Sequence, residues 1–99
     1  MSESDLEQWV AESIRISASK GYHPSFFIDM IKRHGAKKAM ARLVNSGKIQ
    51  SGLPRLKTLG LADEWSIEAG ILKFPCQFSP EECAMAQFRL DNVDDPLLR

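Results

Sequence analysis

The stretch AKKAMARLVN, residues 36–45, decides the fold. At helical spacing Ala36, Ala39, Met40, Leu43 and Val44 form one apolar stripe, while Lys37, Lys38, Ala41 and Arg42 fall on the opposite side. Working outward, Gly35 is a natural stop for a helix arriving from the N-terminal side, and Asn45-Ser46-Gly47 reads as the turn that follows. The segment before Gly35 predicts a helix from about Pro24 to His34, with His23 as N-cap and Tyr22 placed to staple onto Phe27. Its apolar arc of Phe26, Phe27, Ile28, Met30 and Ile31 covers more than half the circumference, so this helix is expected to be the central one.

Further out, Ser4 and Glu7 make a capping box for a first helix over 4–19, with Leu6, Trp9, Val10, Ser13, Ile14 and Ser17 on its inner face and Ile16 at the edge. Gly21 ends it. Toward the C-terminus, short helices are predicted around 52–59, presenting Leu53, Leu56 and Leu59, and over 66–73, presenting Ile67, Ala69, Ile71 and Leu72. Pro75 closes the latter. The last helix, 79–90, has the strongest start signal: Ser79 as N-cap, Pro80 in the first turn, Glu82 returning the capping bond and Phe78 stapling onto Cys83. No stretch alternates with period two, so the fold class is all-α, a compact bundle of five or six short helices. Residues 1–90 form the domain, and 91–99 are expected to be a flexible tail in which Leu97 and Leu98 are the groups able to dock.

Charge is the leading functional signal, although the chain is neutral overall. Between Met30 and Ala62 stand Lys32, Arg33, Lys37, Lys38, Arg42, Lys48, Arg55 and Lys57 with no Asp or Glu among them; the rest of the chain sets five basic residues against all thirteen acids. Such a dipole steers polyanions or acidic protein surfaces. Two internal effects oppose it: Asp29 lies three and four residues before Lys32 and Arg33, and the acidic first helix and tail are able to fold over the basic block. At 99 residues, 43% apolar and 26% charged, the composition is that of one globular domain. The opening MSESDLEQ lacks the basic and apolar regions of an export signal and no apolar run is long enough for a membrane span, which makes the cytoplasm the expected compartment. Cys76 and Cys83 form no CxxC and are expected to be buried thiols.

No catalytic constellation emerges. His23, His34, Cys76 and Cys83 share no zinc-ligand spacing, Glu81 and Glu82 belong to a helix start, and Cys83 has no base placed beside it, so neither an enzyme nor a cofactor is expected. A helix-turn-helix reading makes Gly35 the turn and the helix from Ala36 the recognition helix, but it puts bulky Ile31 where such pairs need a small residue. Off the core stripes, Ala84, Met85 and Phe88 widen the apolar arc of the last helix, which therefore either packs between neighbours, the reading a small domain favours slightly, or meets a second chain.

From Gly21 to Leu90 the residues Gly21-Tyr22, Pro24, Phe27, Met30, Gly35, Ala39, Leu43, Gly52, Leu56, Gly60, Asp63, Ser66, Glu68, Leu72, Phe78, Ser79, Glu81-Glu82, Ala86 and Arg89-Leu90 form a pattern of caps, turns and core positions. It resembles that of small, poorly characterised bacterial and mobile-element proteins linked to nucleases and defence systems, with Ala36 where the pattern usually has a second glycine. The resemblance implies a context, the conflict between mobile DNA and host defence, and an inhibitor of the anti-CRISPR kind that works by occupying a surface. The expected partner is a protein in a nucleic-acid-handling complex, contacted through Lys37, Lys38, Arg42, Lys48, Arg55, Lys57 and Arg33, with Phe88 or Trp9 as aromatic anchor. The alternative is a nucleic-acid-binding repressor or accessory domain using the same basic face.

Overall fold

The computed structural model describes residues 3–46 and 52–94. Among them are seven α-helices and no strand: α1 Glu3–Ser19, α2 Ser25–His34, α3 Ala36–Val44, α4 Gly52–Thr58, α5 Ala62–Trp65, α6 Ile67–Lys73 and α7 Pro80–Asp91, with a 3-10 turn at Pro75–Gln77. The all-α expectation holds. Its count of five or six helices omitted α5, a single turn whose Ala62 is buried with Leu53, Leu56 and Val93.

Helix α3, not α2, is the centre. It packs against α1, α2, α6 and α7, and its whole apolar stripe of Ala36, Ala39, Met40, Leu43 and Val44 is buried. Of α2 only Phe27 is buried, and Phe26 is 69% exposed, so the broad apolar arc of that helix overstated how much of it is covered. The start of α2 also differs from expectation. Pro24 occupies the N-cap position without a side-chain cap, and Tyr22 packs against the Leu53, Leu56, Ala62 and Val93 cluster.

The main core joins Leu6, Trp9 and Val10 of α1 to the α3 stripe, Ile71, Phe74, Phe78 and Ala86. Trp9 stacks on Trp65 with ring centroids 5.7 Å apart and meets Phe74 edge-on at 6.3 Å. Gly70 of α6 is where this core is tightest, for a Cβ there would lie 2.6 Å from Trp9 Cη2 and 2.8 Å from Met40 Cε. Two later N-caps form, that of Ser79 as read. The Ser66 hydroxyl accepts from Ala69 N–H at 3.0 Å, and Ser79 and Glu82 exchange the two bonds of a capping box at 3.1 and 2.9 Å.

One buried ion pair fixes α7 against the layer beneath it. Arg89 Nε donates to Glu68 Oε2 at 2.9 Å, and Arg89 Nη1 donates to the Val44 carbonyl at 3.3 Å. The two side chains are 2% and 5% exposed, so the charges neutralise one another inside the fold. The Val44 bond also satisfies a carbonyl in the last turn of α3 that has no helical partner. Beyond α7, Val93 is 2% exposed in the second cluster, so the chain is packed at least that far; Leu97 and Leu98 lie outside the described residues.

Candidate functional site

Lys37, Lys38 and Arg42 emerge on the outer side of α3 because the apolar stripe fixes its rotation. All three are exposed, and no described residue forms an ion pair with them. The other described basic residues of the block stand on α2 and α4. Arg33 pairs with Asp29 one turn earlier at 3.2 Å, as the spacing suggested, and Lys57 pairs with Asp94 at 3.1 Å, so an acid from the C-terminal segment neutralises one member of the basic block. Both are surface pairs of small energetic weight. Arg55 lies near Tyr22, whose phenol burial pushes above its ordinary range, with the guanidinium charge opposing that shift. Lys48 falls outside the described residues. Lys32 and Arg55 are likewise exposed without an ion pair to a described residue, and Lys37, Lys38 and Arg42 are the three cations of the block that share α3.

The turn before α3 adds geometry that the charge pattern does not contain. Gly35, at φ +84°, is the only residue between α2 and α3, shorter than the three or four residues of a helix-turn-helix connection. It throws the N-terminal end of α3 open. No side chain caps that end, and the amides of Ala36, Lys37 and Lys38 meet no carbonyl of the described residues; Ala39 N–H is satisfied by the Gly35 carbonyl at 3.0 Å. Ala36, Lys37 and Lys38 are among the residues lining a cavity of about 400 Å³, with Leu6, Glu7, His34 and Gln77. Gln77 is only 9% exposed, and its Nε2 is sealed from solvent without a hydrogen-bond partner. The helix ends before Pro75 as expected, but sequence reading missed the separate 3-10 turn Pro75–Gln77 that follows, in which Gln77 is buried and Cys76 exposed. Cys76 is accordingly exposed and Cys83 half-buried, not the two buried thiols expected.

A second cavity, of about 300 Å³, lies between α1, α2, α4 and α6, with Ser13, Ser17, Tyr22, Phe27, Leu53 and Trp65 in its wall. Its serines are engaged locally at least in part, since the Ser13 hydroxyl donates to the Val10 carbonyl at 2.9 Å. Among the described residues no group of three His, Cys, Asp or Glu side chains is placed to hold a metal ion.

The apolar surface is also rearranged relative to expectation. Ala84, Met85 and Phe88 do not pack between neighbours: all three are exposed, Phe88 at 48%. The inward face of α7 is taken by Ala86 and Arg89, with Cys83 and Leu90 at its edges, which turns the Met85 and Phe88 side outward. Trp9, the other candidate anchor, is committed to the core. Helix α7 is tied to the C-terminal end of α3 by the Arg89–Val44 bond and by Asn45 Nδ2 donating to Glu82 Oε2 at 3.0 Å, so the helix that carries Phe88 runs beside the basic one.

No family model matches the chain, and comparison with curated proteins and with solved structures finds no match to either. No described helix is long and apolar enough to cross a membrane.

Proposed function

We propose that this is a non-catalytic binding protein that acts by covering a partner's surface, using the unpaired cations of α3 with the exposed apolar edge of α7. The observation that carries the reading is the state of Lys37, Lys38 and Arg42: exposed, without ion pairs to described residues, and presented by a helix whose other side is wholly buried. Cations held on a rigid, central element keep a fixed backbone placement, and they steer approach to an acidic surface. Phe88 and Met85 supply the apolar contact that such an interface needs at its centre. The finer reading is a mobile-element inhibitor of a host defence nucleoprotein complex, of the anti-CRISPR kind. Its supports are the small size, the charge segregation and the pattern of residues from Gly21 to Leu90.

The competing reading, direct nucleic-acid binding through the same cations, is separated by fluorescence anisotropy against labelled duplex DNA, single-stranded DNA and RNA at low and near-physiological salt. A protein-directed surface gives no binding at near-physiological salt. Tight binding that weakens steeply with salt would instead make phosphate the target of α3.

A further inference from the structure

We infer that the cavity between α1, α2, α4 and α6 is a binding site for a small uncharged aromatic molecule that carries a hydrogen-bonding group. Size and lining set the class of ligand. A volume of about 300 Å³ lies at the lower end of small-molecule pockets, and the wall is mostly apolar, with Phe27, Leu53, Leu56, Trp65 and Ile67 supplied by four helices. The rings of Phe27 and Trp65 in that wall favour a flat aromatic ligand over an aliphatic chain. Phe26, 69% exposed, belongs to the same wall and brings the cavity to the protein surface.

The polar part of the lining comes from α1 and the turn after it. Ser13 and Ser17 stand one turn apart on the inner face of α1, and the bond from the Tyr22 amide to the Ser17 carbonyl, at 2.9 Å, folds Tyr22 back beside them. The Ser13 hydroxyl spends its proton on the Val10 carbonyl. Ser17 is different: it is 3% exposed, yet its hydroxyl bonds to no described residue. Among the described side chains the polar atom sealed in without a partner is Gln77 Nε2, so the Ser17 hydroxyl is not closed off by packing and opens onto the cavity it lines. The Tyr22 hydroxyl rests against Gly52 and has no described partner either; burial pushes this phenol above its ordinary range. Hydroxyls kept from water without a partner are costly, and a ligand group that bonds them removes the cost. The charge balance of the wall excludes an ionic ligand. Glu68 is the ionised residue described there, and Arg89 already meets it at 2.9 Å, so an incoming ion would lose its hydration with no countercharge to replace it. None of Lys37, Lys38, Arg42, Met85 and Phe88 lines this cavity, and the inference therefore stands apart from the surface proposed above.

The test is titration of the 15N-labelled protein near neutral pH with 2-naphthol, naphthalene and 2-naphthoate, which share their rings and differ in carrying a hydroxyl, no polar group or a charge. With 2-naphthol, saturable shifts of the Trp65 indole N–H and of the Ser17 and Tyr22 amides are expected. It should bind about tenfold more tightly than naphthalene, and 2-naphthoate more weakly than either. Ser17→Ala and Tyr22→Phe, each of which deletes one hydroxyl that makes no bond within the described fold, should weaken 2-naphthol about threefold to tenfold while leaving naphthalene within about twofold. The inference is overturned by the absence of saturable shifts up to the solubility limit of 2-naphthol, by shifts confined to the exposed side of α7, by 2-naphthoate binding as tightly as 2-naphthol, or by 2-naphthol binding unchanged in both folded variants.

Discussion

Replacing Arg89 by Met removes the buried cation while nearly preserving side-chain length and leaves Glu68, 4% exposed, with an uncompensated charge in the core. Breaking one side of a buried pair in this way costs about 3–5 kcal/mol, and the Val44 carbonyl loses its donor as well. A domain of this size has a total stability of roughly 5–15 kcal/mol. The loss thus takes a large fraction of the margin and lowers Tm by on the order of 20 °C. The reverse change completes the argument. In the double variant Glu68→Leu with Arg89→Met no charge remains buried, and apolar side chains of similar volume fill the layer between α6 and α7, so most of the lost stability returns. Urea unfolding followed by the fluorescence of Trp9 and Trp65, which stack in the native core, reads all three proteins. A loss below about 1 kcal/mol for Arg89→Met, within the range of a surface pair, would refute the buried-pair reasoning. So would a double variant as unstable as the single one.

Other consequences follow from the same packing. Gly70→Ala gains helix propensity of up to about 1 kcal/mol, yet the new methyl meets the Trp9 ring and Met40, and overpacking of about 1–3 kcal/mol outweighs the gain; thermal melting should show a lower Tm, and a higher one would contradict the close approach of α6 to α1. Tyr22 is the one tyrosine of the chain, so phenolate absorbance reports it alone. Its midpoint should lie above the ordinary 10.0 in the folded protein and fall in urea. Because the folded value is the higher one, this group's contribution to stability is complete below the unfolded midpoint and is lost as pH rises through the folded one. Tyr22→Phe should flatten that alkaline decline. Met85→Gln with Phe88→Ser should leave stability within about 0.5 kcal/mol of the parent, since both are exposed; a larger loss would mean that α7 is not oriented as described.

The parts of the fold legible in the sequence are those specified by neighbours along the chain. The stripe of α3 emerged residue for residue, and the Ser79–Glu82 box formed as read, because both depend on spacings of three and four. What sequence reading missed depends on residues far apart. Arg89 and Glu68 are 21 positions apart, and nothing in the last helix distinguishes an inward Arg89 from a solvated one. Once Arg89 is turned inward, Met85 and Phe88 turn outward, so one unseen pair decided between the two readings of that helix surface. The centrality of α2 was overestimated for a related reason: a wide apolar arc shows how much surface is able to be buried, while the arrangement of α1, α6 and α7 around α3 decides how much is. On the functional side, Lys37, Lys38 and Arg42 were legible as a group, but the neutralisation of Lys57 by Asp94 and the unpartnered amide of Gln77 required tertiary structure.

The central claim is that the cations of α3 are the working surface of an inhibitor. It is tested most directly by expressing the protein, and its Lys38→Glu, Arg42→Glu variant, in bacteria carrying nucleic-acid-targeting defence systems, and counting transformants of a targeted plasmid. The parent is expected to rescue the plasmid from one such system, and the variant, equally folded by circular dichroism and Tm, is not. Equal rescue by the two proteins would contradict the claim and remove this surface from the mechanism.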